Sequence, residues 1–417
     1  MKLTTFSLLL FLGSCAARAQ VDDTAFLEKF ESTFETPGNV ASGDFVPAAL
    51  LSGRLHTVRP LAFNDGLRNT YFVDTPAGVQ EVTGTPALVQ LVREISALDY
   101  LRGVSKTDAF GKAFANAGKA KIESAGNLLG DPFGTIKNVP KGASRFFGRI
   151  GEGLKGGGSK SEDGGLAGIL GITAAKTKLA TQLGVDPYSP NEELQRELTR
   201  VAQAMAGGGL VVDAASSVAS GGAGAALTVV GANQTLTDTL ASSTAEDLRI
   251  LNRKKLLALG VNRKLADEFL MHPWFSPWHE TITTDALAGI GIDPSAFLTD
   301  AVRALTPEDA FYFQRLAQIL AKYHASGGPL AAIRFDNGVI TALGRDGTLV
   351  VPVSLDYGIW AERTARRAEE FVALDRAREH ITGLALWTDG RLSDRFCAEL
   401  KKRGIAWRMN VLESATR

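Results

Sequence analysis

Cysteine is nearly missing from this chain, with only Cys15 and Cys397 in 417 residues. Cys15 falls in the N-terminal segment read below as a leader, so no disulfide is expected within the mature chain. Cys397 follows Phe396 on a predicted helix and reads as a small buried residue. Histidine is also scarce, at five residues. The densest set of metal-ligand types is His272, His279, Glu280 and His324, and no His-Glu-x-x-His pattern occurs. His272 and His279 are separated by Pro273 and Pro277, so they do not share a simple helix face. A zinc site needs three or four converging ligands. No metal is expected, and residues 272–279 read as a rigid aromatic loop capping a helical domain.

Other absences narrow the function further. Lys plus Arg and Asp plus Glu both total 45, so no global field favours nucleic acid. There is no P-loop, no Gly-x-Ser-x-Gly and no Ser/His/Asp arrangement. Gly151, Gly153 and Gly156 match the spacing of a dinucleotide fingerprint. That motif needs a buried strand before it and a helix after it. Here a basic segment precedes and glycines follow, so neither a nucleotide nor any other cofactor is expected. A long apolar run is missing too. Residues 206–232 are rich in Gly, Ala, Ser and Val, with Asp213 the only charge. Small residues permit close helix approach, and the stretch reads as a tightly packed helical pair, with membrane insertion as the alternative.

What is present begins with an export signal. Lys2 precedes an apolar run from Phe6 to Leu12, and Ala17-Arg18-Ala19 is a small-x-small cleavage pattern. Cleavage is expected before Gln20, giving a periplasmic or extracellular protein. The alternative is a lipid anchor at Cys15, which follows Leu12-Gly13-Ser14. The apolar run falls well short of the ~20 residues of a membrane span.

The expected fold is α+β, multidomain and mainly α. After the signal peptide, 1–19, residues 20–103 read as a small α+β domain. It holds a helix at Thr24–Phe34, a polar loop, a β-meander over 55–83 and a helix capped by Thr85. Residues 104–165 read as a basic amphipathic segment and a Gly-rich linker. Residues 166–328 read as a central helical domain, with N-caps at Ser189, Ser243, Asn262 and Thr306. Residues 329–417 read as a small α/β domain. It opens on a hairpin around Arg345-Asp346-Gly347, and strand–helix–strand from Gly383 to Val411 argues a parallel pair.

Two sites stand out. From 101 to 160 there are eleven Lys/Arg and four Asp/Glu, an excess of 11 − 4 = +7, interleaved with aromatics that include Phe110 and Phe114. Around 143–155, Phe147 and Ile150 share one helical face, while Arg145 and Arg149 lie off it. Lys141, Arg145, Phe146, Phe147, Arg149 and Ile150 are therefore candidates for contact with an anionic membrane surface or an envelope protein. The second site is at the carboxyl ends of the C-terminal strands, where open α/β sheets bind ligands. Asp389 and Arg391 follow the buried strand, and Asp356 follows the second hairpin strand. The leading expectation is a non-enzymatic envelope protein that binds a membrane or a partner. The alternative is a ligand-binding protein or hydrolase-type enzyme with its site at Asp356, Asp389 and Arg391.

Overall fold

The computed structural model describes residues 33–119, 163–212, 234–336, 338–377 and 381–412. The chain is α+β and mainly α, with strands at both ends and helices between. The N-terminal unit comprises β1 (Gly38–Ala41), α1 (Ala48–Leu51), β2 (Ser52–Gly53), β3 (His56–Val58), β4 (Leu61–Asn64), β5 (Asn69–Thr75), β6 (Gly78–Thr83) and α2 (Thr85–Ser105). Asn69, Tyr71 and Val73 of β5 point into the core, while Thr70, Phe72 and Asp74 point outward. This is the two-residue period of a half-buried strand.

The sheet is not a simple meander. Its order is β1-β4-β5-β3-β2, with β6 on the other edge of β5. β3 and β4 share one edge of β5, Val58 lying opposite Val73 and Asn64 opposite Asn69. Pro60, between them, has no N–H to continue a ladder, so two short strands replace one long one. β1 lies in the expected polar loop and pairs with β4. Four residues with a single valine are too few to show alternation. Gly84, not Thr85, is the N-cap of α2, because the Thr85 amide and hydroxyl are engaged elsewhere. Leu88 and Val92 of α2 pack on the sheet, while Ala97, Leu98 and Leu101 pack into the next layer.

That layer contains α3 (Asp108–Lys119), α4 (Asp163–Leu183) and α5 (Glu192–Gly208). Residues 163–165, expected as linker, already belong to α4. The N-cap of α5 is Asn191, two residues after the expected Ser189. Phe110 is buried in this layer's core, so it is no surface contact, whereas Phe114 is exposed. Arg200 of α5 lies over both rings. α5 meets α3 through small residues, and a Cβ on Gly208 would collide with the Ala113 carbonyl. Backbone there has little room to give. Gly208→Val is expected to destabilise the protein by about 1–3 kcal/mol, the usual cost of overpacking. Urea unfolding of the variant checks this, and an unchanged midpoint contradicts the contact.

The second helical layer is α6 (Gln234–Ser242), α7 (Ala245–Ala258), α8 (Arg263–Leu270), α9 (Pro277–Ile290), α10 (Ser295–Ala301) and α11 (Pro307–Ser326). Asn262 and Thr306 cap α8 and α11 as expected. The capping box of α7 is Thr244 with Asp247, one residue beyond the expected pair. The expected aromatic loop of 272–279 is only half loop. Ser276 caps a helix that starts at Pro277, and both ends of the segment, His272 and His279, pack against aromatic rings.

The C-terminal unit contains β7 (Leu330–Asp336), β8 (Val339–Gly344), β9 (Thr348–Val353), β10 (Tyr357–Gly358), α12 (Glu362–Ala377), β11 (Gly383–Thr388), β12 (Arg391–Leu392), α13 (Asp394–Lys402) and β13 (Ile405–Arg408). Its main sheet runs β13-β11-β9-β8-β7. The β8–β9 hairpin is antiparallel, and β9, β11 and β13 are mutually parallel. β7 extends the hairpin to a third strand that the sequence reading did not include. Leu349, Leu384 and Ile405 pack under α12 and α13, while Val350, Ala385 and Trp387 pack against the second helical layer. The sheet is therefore covered on both faces, which is why β11 reads as an unbroken apolar run. Among the described residues, no helix is long and apolar enough to cross a membrane.

Candidate functional site

The three strand-end residues do come together. β10 and β12 form a short parallel pair in which Tyr357 lies opposite Arg391. The Arg391 amide donates to the Asp356 carbonyl at 3.0 Å. Gly390 permits this, because a Cβ there would strike the Leu355 carbonyl. Asp389 also lies close enough to Asp356 to disfavour its ionisation.

Each polar group is already engaged by another part of the chain. Asp389 Oδ2 accepts from Arg315 Nε of α11 and from the Ser354 hydroxyl, both at 2.8 Å. Its Oδ1 accepts from the Leu355 amide at 3.0 Å. Asp356 Oδ2 accepts the Asn69 amide at 2.8 Å, and Oδ1 the Thr85 amide at 2.7 Å. Burial pushes the Asp356 carboxyl above its ordinary range, against those two bonds. The Arg391 guanidinium donates to the Asp44 carbonyl at 3.0 Å and lies over the Phe45 ring. The turn of residues 64–69 completes the joint. The Leu67 carbonyl accepts from the amides of Asp356 and Tyr357, and the Gly66 carbonyl from that of Ile359. The strand ends thus bind the N-terminal unit and α11 to the C-terminal sheet.

Beside this joint an open groove of about 550 Å³ lies between α12 and α13. Trp360 is at its base, with the Arg403 guanidinium 4.6 Å from the ring centroid. Arg403 is held by Glu369 at 2.8 Å and Glu399 at 2.6 Å, so opposite charges alternate along the groove wall. Glu35 fastens the chain at one end, accepting from the Trp360 amide at 2.6 Å and the Ser393 hydroxyl at 2.5 Å.

A third concentration of polar groups takes in two residues of the sequence set, His279 and Glu280, and adds three threonines beside them. α9 is buried on nearly every side, yet it carries His279, Glu280, Thr281, Thr283 and Thr284. Glu280 faces Arg249 of α7, with Nε–Oε2 at 3.3 Å. Burial pushes Glu280 up to about 8, with Arg249 opposing that shift. Burial also holds His279 down to about 4, so its ring is neutral near pH 7. Asn252 of α7 donates to the Thr281 hydroxyl at 2.9 Å. His279 Nδ1, Thr283 Oγ1, Thr284 Oγ1 and Gln314 Oε1 are buried without a direct protein partner. A polar helix in a core contradicts simple periodicity, which is why counting apolar positions missed it.

The four metal-ligand types of the sequence reading are dispersed. The His272 ring pairs with the Val302 carbonyl, and His324 Nδ1 accepts the Leu330 amide. Among the described residues, no group of three His, Cys, Asp or Glu side chains is placed to hold a metal ion. Lys141, Arg145, Phe146, Phe147, Arg149 and Ile150 lie outside the described residues, as do Gly151–Gly156 and most of 206–232. No family model, curated protein or solved structure matches this chain.

Proposed function

We propose that this is an exported, envelope-associated protein that acts by binding an anionic membrane surface or a protein partner, not by catalysis. The observation that carries the reading is the engagement of Asp356, Asp389 and Arg391 in the joint between units. Groups held by other parts of the chain are not presented to a ligand. The N-terminal sheet supports the reading from its outer face. Leu61, Phe63 and Val79 are each about half exposed, at 55%, 46% and 54%. The strand register puts them on the same side as Phe72. Covering those side chains with a partner would remove apolar area from water. The +7 segment over 101–160 supplies the electrostatic part. The alternative, a ligand-binding or hydrolytic site at Asp356, Asp389 and Arg391, draws on their convergence, and it requires the 64–69 turn to leave.

Each Lys or Arg near an anionic surface contributes on the order of 1 kcal/mol at low salt. The mature protein is expected to co-sediment with anionic vesicles at low salt and to leave them at a few hundred millimolar salt, where screening is strong. Charge reversal at Lys141, Arg145 and Arg149 is expected to abolish that binding with the melting temperature unchanged. Equal partitioning by both proteins, or by neither, removes the basic segment from the reading.

A further inference from the structure

The chain that follows β13 is held against β12 by a side-chain sulfur. In the β10–β12 pair the amides of Arg391 and Ser393 donate to the Asp356 and Gly358 carbonyls, at 3.0 and 2.9 Å. Successive amides of a strand point to opposite edges, so the Leu392 amide faces away from β10. The backbone of a further strand would ordinarily supply its acceptor. Here Met409 Sδ does so, at 3.0 Å. The next two residues run beside the turn between β11 and β12. The Asn410 amide donates to the Gly390 carbonyl and the Val411 amide to the Thr388 carbonyl, both at 3.1 Å. Asn410 bends the chain there with a φ of 52°, a left-handed conformation that asparagine tolerates.

The described methionines are Met205, Met271 and Met409. Met205 is half-buried against the core of α2–α5. Met271 closes α8 at 48% exposure, and Met409 is 37% exposed. A thioether sulfur is soft and polarizable and carries two lone pairs. In Met409 one of them takes the Leu392 N–H, and the other is left for chemistry with solutes. Leu392 itself is buried in the cluster of Trp360 and Phe396. Beside it, Arg391 carries the contacts to the Asp44 carbonyl and the Phe45 ring. One exposed sulfur therefore supports the short strand through which the C-terminal unit holds the N-terminal one.

We infer that Met409 is a site of oxidation by peroxides, and that its sulfoxide releases the Leu392 amide and slackens the β10–β12 pair. With hydrogen peroxide, the free sulfur lone pair attacks one oxygen. An S–O bond forms as the O–O bond breaks, and the second oxygen leaves as hydroxide. That hydroxide takes the proton from the new S–OH group and becomes water. Sulfur loses two electrons and the peroxide gains them, leaving the sulfoxide. The new oxygen lies on the side of the sulfur away from Leu392, because the free lone pair is the one that reacts. The sulfur now carries partial positive charge and is no longer an acceptor for the Leu392 N–H. A flexible apolar side chain has also become a polar one at the edge of a buried cluster. The other oxidisable group nearby is Cys397 of α13. Burial pushes its thiol upward, so the reactive thiolate is scarce.

Treating the full mature chain with hydrogen peroxide tests this, with peptide masses and hydrogen exchange as the readouts. Met409 is expected to gain one oxygen. Protection of the Leu392 amide is expected to fall about ten-fold, as for an amide that loses its acceptor. Amides of β11, which is paired on both sides, are expected to keep theirs. Met409→Leu conserves volume but has neither the acceptor nor the oxidisable sulfur. It is expected to show the low Leu392 protection without peroxide, and no further fall with it. Met409 left as the thioether while Met271 is fully oxidised overturns the assignment, as does oxidised Met409 with Leu392 protection unchanged. A further fall in peroxide-treated Met409→Leu places the response at Met271 or Cys397 and overturns it too.

Discussion

Replacing Arg315 by alanine is expected to lower the unfolding free energy by about 3–5 kcal/mol, the cost of breaking a buried ion pair from one side. The pair is well shielded, with side-chain exposures of 11% for Arg315 and 2% for Asp389. Without Arg315, the Asp389 carboxylate keeps only the Ser354 hydroxyl and the Leu355 amide. Two neutral donors do not replace a guanidinium in a low-dielectric site. Substituting both partners by apolar residues of similar volume is expected to recover most of the loss, because no buried charge then remains. Urea titration of the single and paired variants measures this. A loss below about 1 kcal/mol for Arg315→Ala contradicts a load on the pair, since that is the range of exposed ion pairs.

The second large effect is expected at Asp356. Alanine there leaves the Asn69 and Thr85 amides without acceptors. Each orphaned buried N–H costs about 1–3 kcal/mol, so the pair predicts about 2–6 kcal/mol. Asparagine keeps one acceptor oxygen and is expected to lose about half as much. The variants also change the pH profile. Burial raises the Asp356 carboxyl above its ordinary 3.8, so the folded state binds the extra proton. Its contribution is therefore greatest in acid and declines as pH rises from 3.8 through the folded value. Asp356→Asn removes that decline. Thermal unfolding across pH 4 to 7 checks the sign, and parallel profiles for wild type and Asp356→Asn contradict it.

Much of the C-terminal unit was legible because its signals are local. Ser393 begins a helix with a side-chain cap, and the Gly383–Trp387 run is apolar because helices cover both faces of its sheet. Asn262 and Thr306 were legible for the same reason, since a cap is decided within four residues. Ser189 was misread because a distant residue competes for it: its hydroxyl goes to Glu94, and Asn191 takes the cap. The strand pairing of β3 with β5 is likewise non-local: Pro60 marks the break between β3 and β4, but nothing near it assigns both to one edge of β5. At the strand ends, the sequence placed Asp356, Asp389 and Arg391 at the right edge of the sheet. It could not show that Asn69, Thr85 and Arg315 reach that edge from far along the chain. The α9 polar cluster was illegible because His279, Glu280, Thr281, Thr283 and Thr284, broken only by Ile282, leave the helix without an apolar stripe, and only the packing of α7 and α11 around it buries them.

The strand-end acids Asp356 and Asp389 fasten the N-terminal unit and α11 to the C-terminal sheet. The most direct measurement is residue-resolved hydrogen exchange of Asp356→Ala against wild type. Asn69, Thr85 and the 64–69 turn are expected to lose protection together, while the amides of β9 and β11, buried between two layers, keep most of theirs. Wild-type protection at Asn69 and Thr85 in the variant would contradict it, and would return Asp356 to the ligand-binding reading.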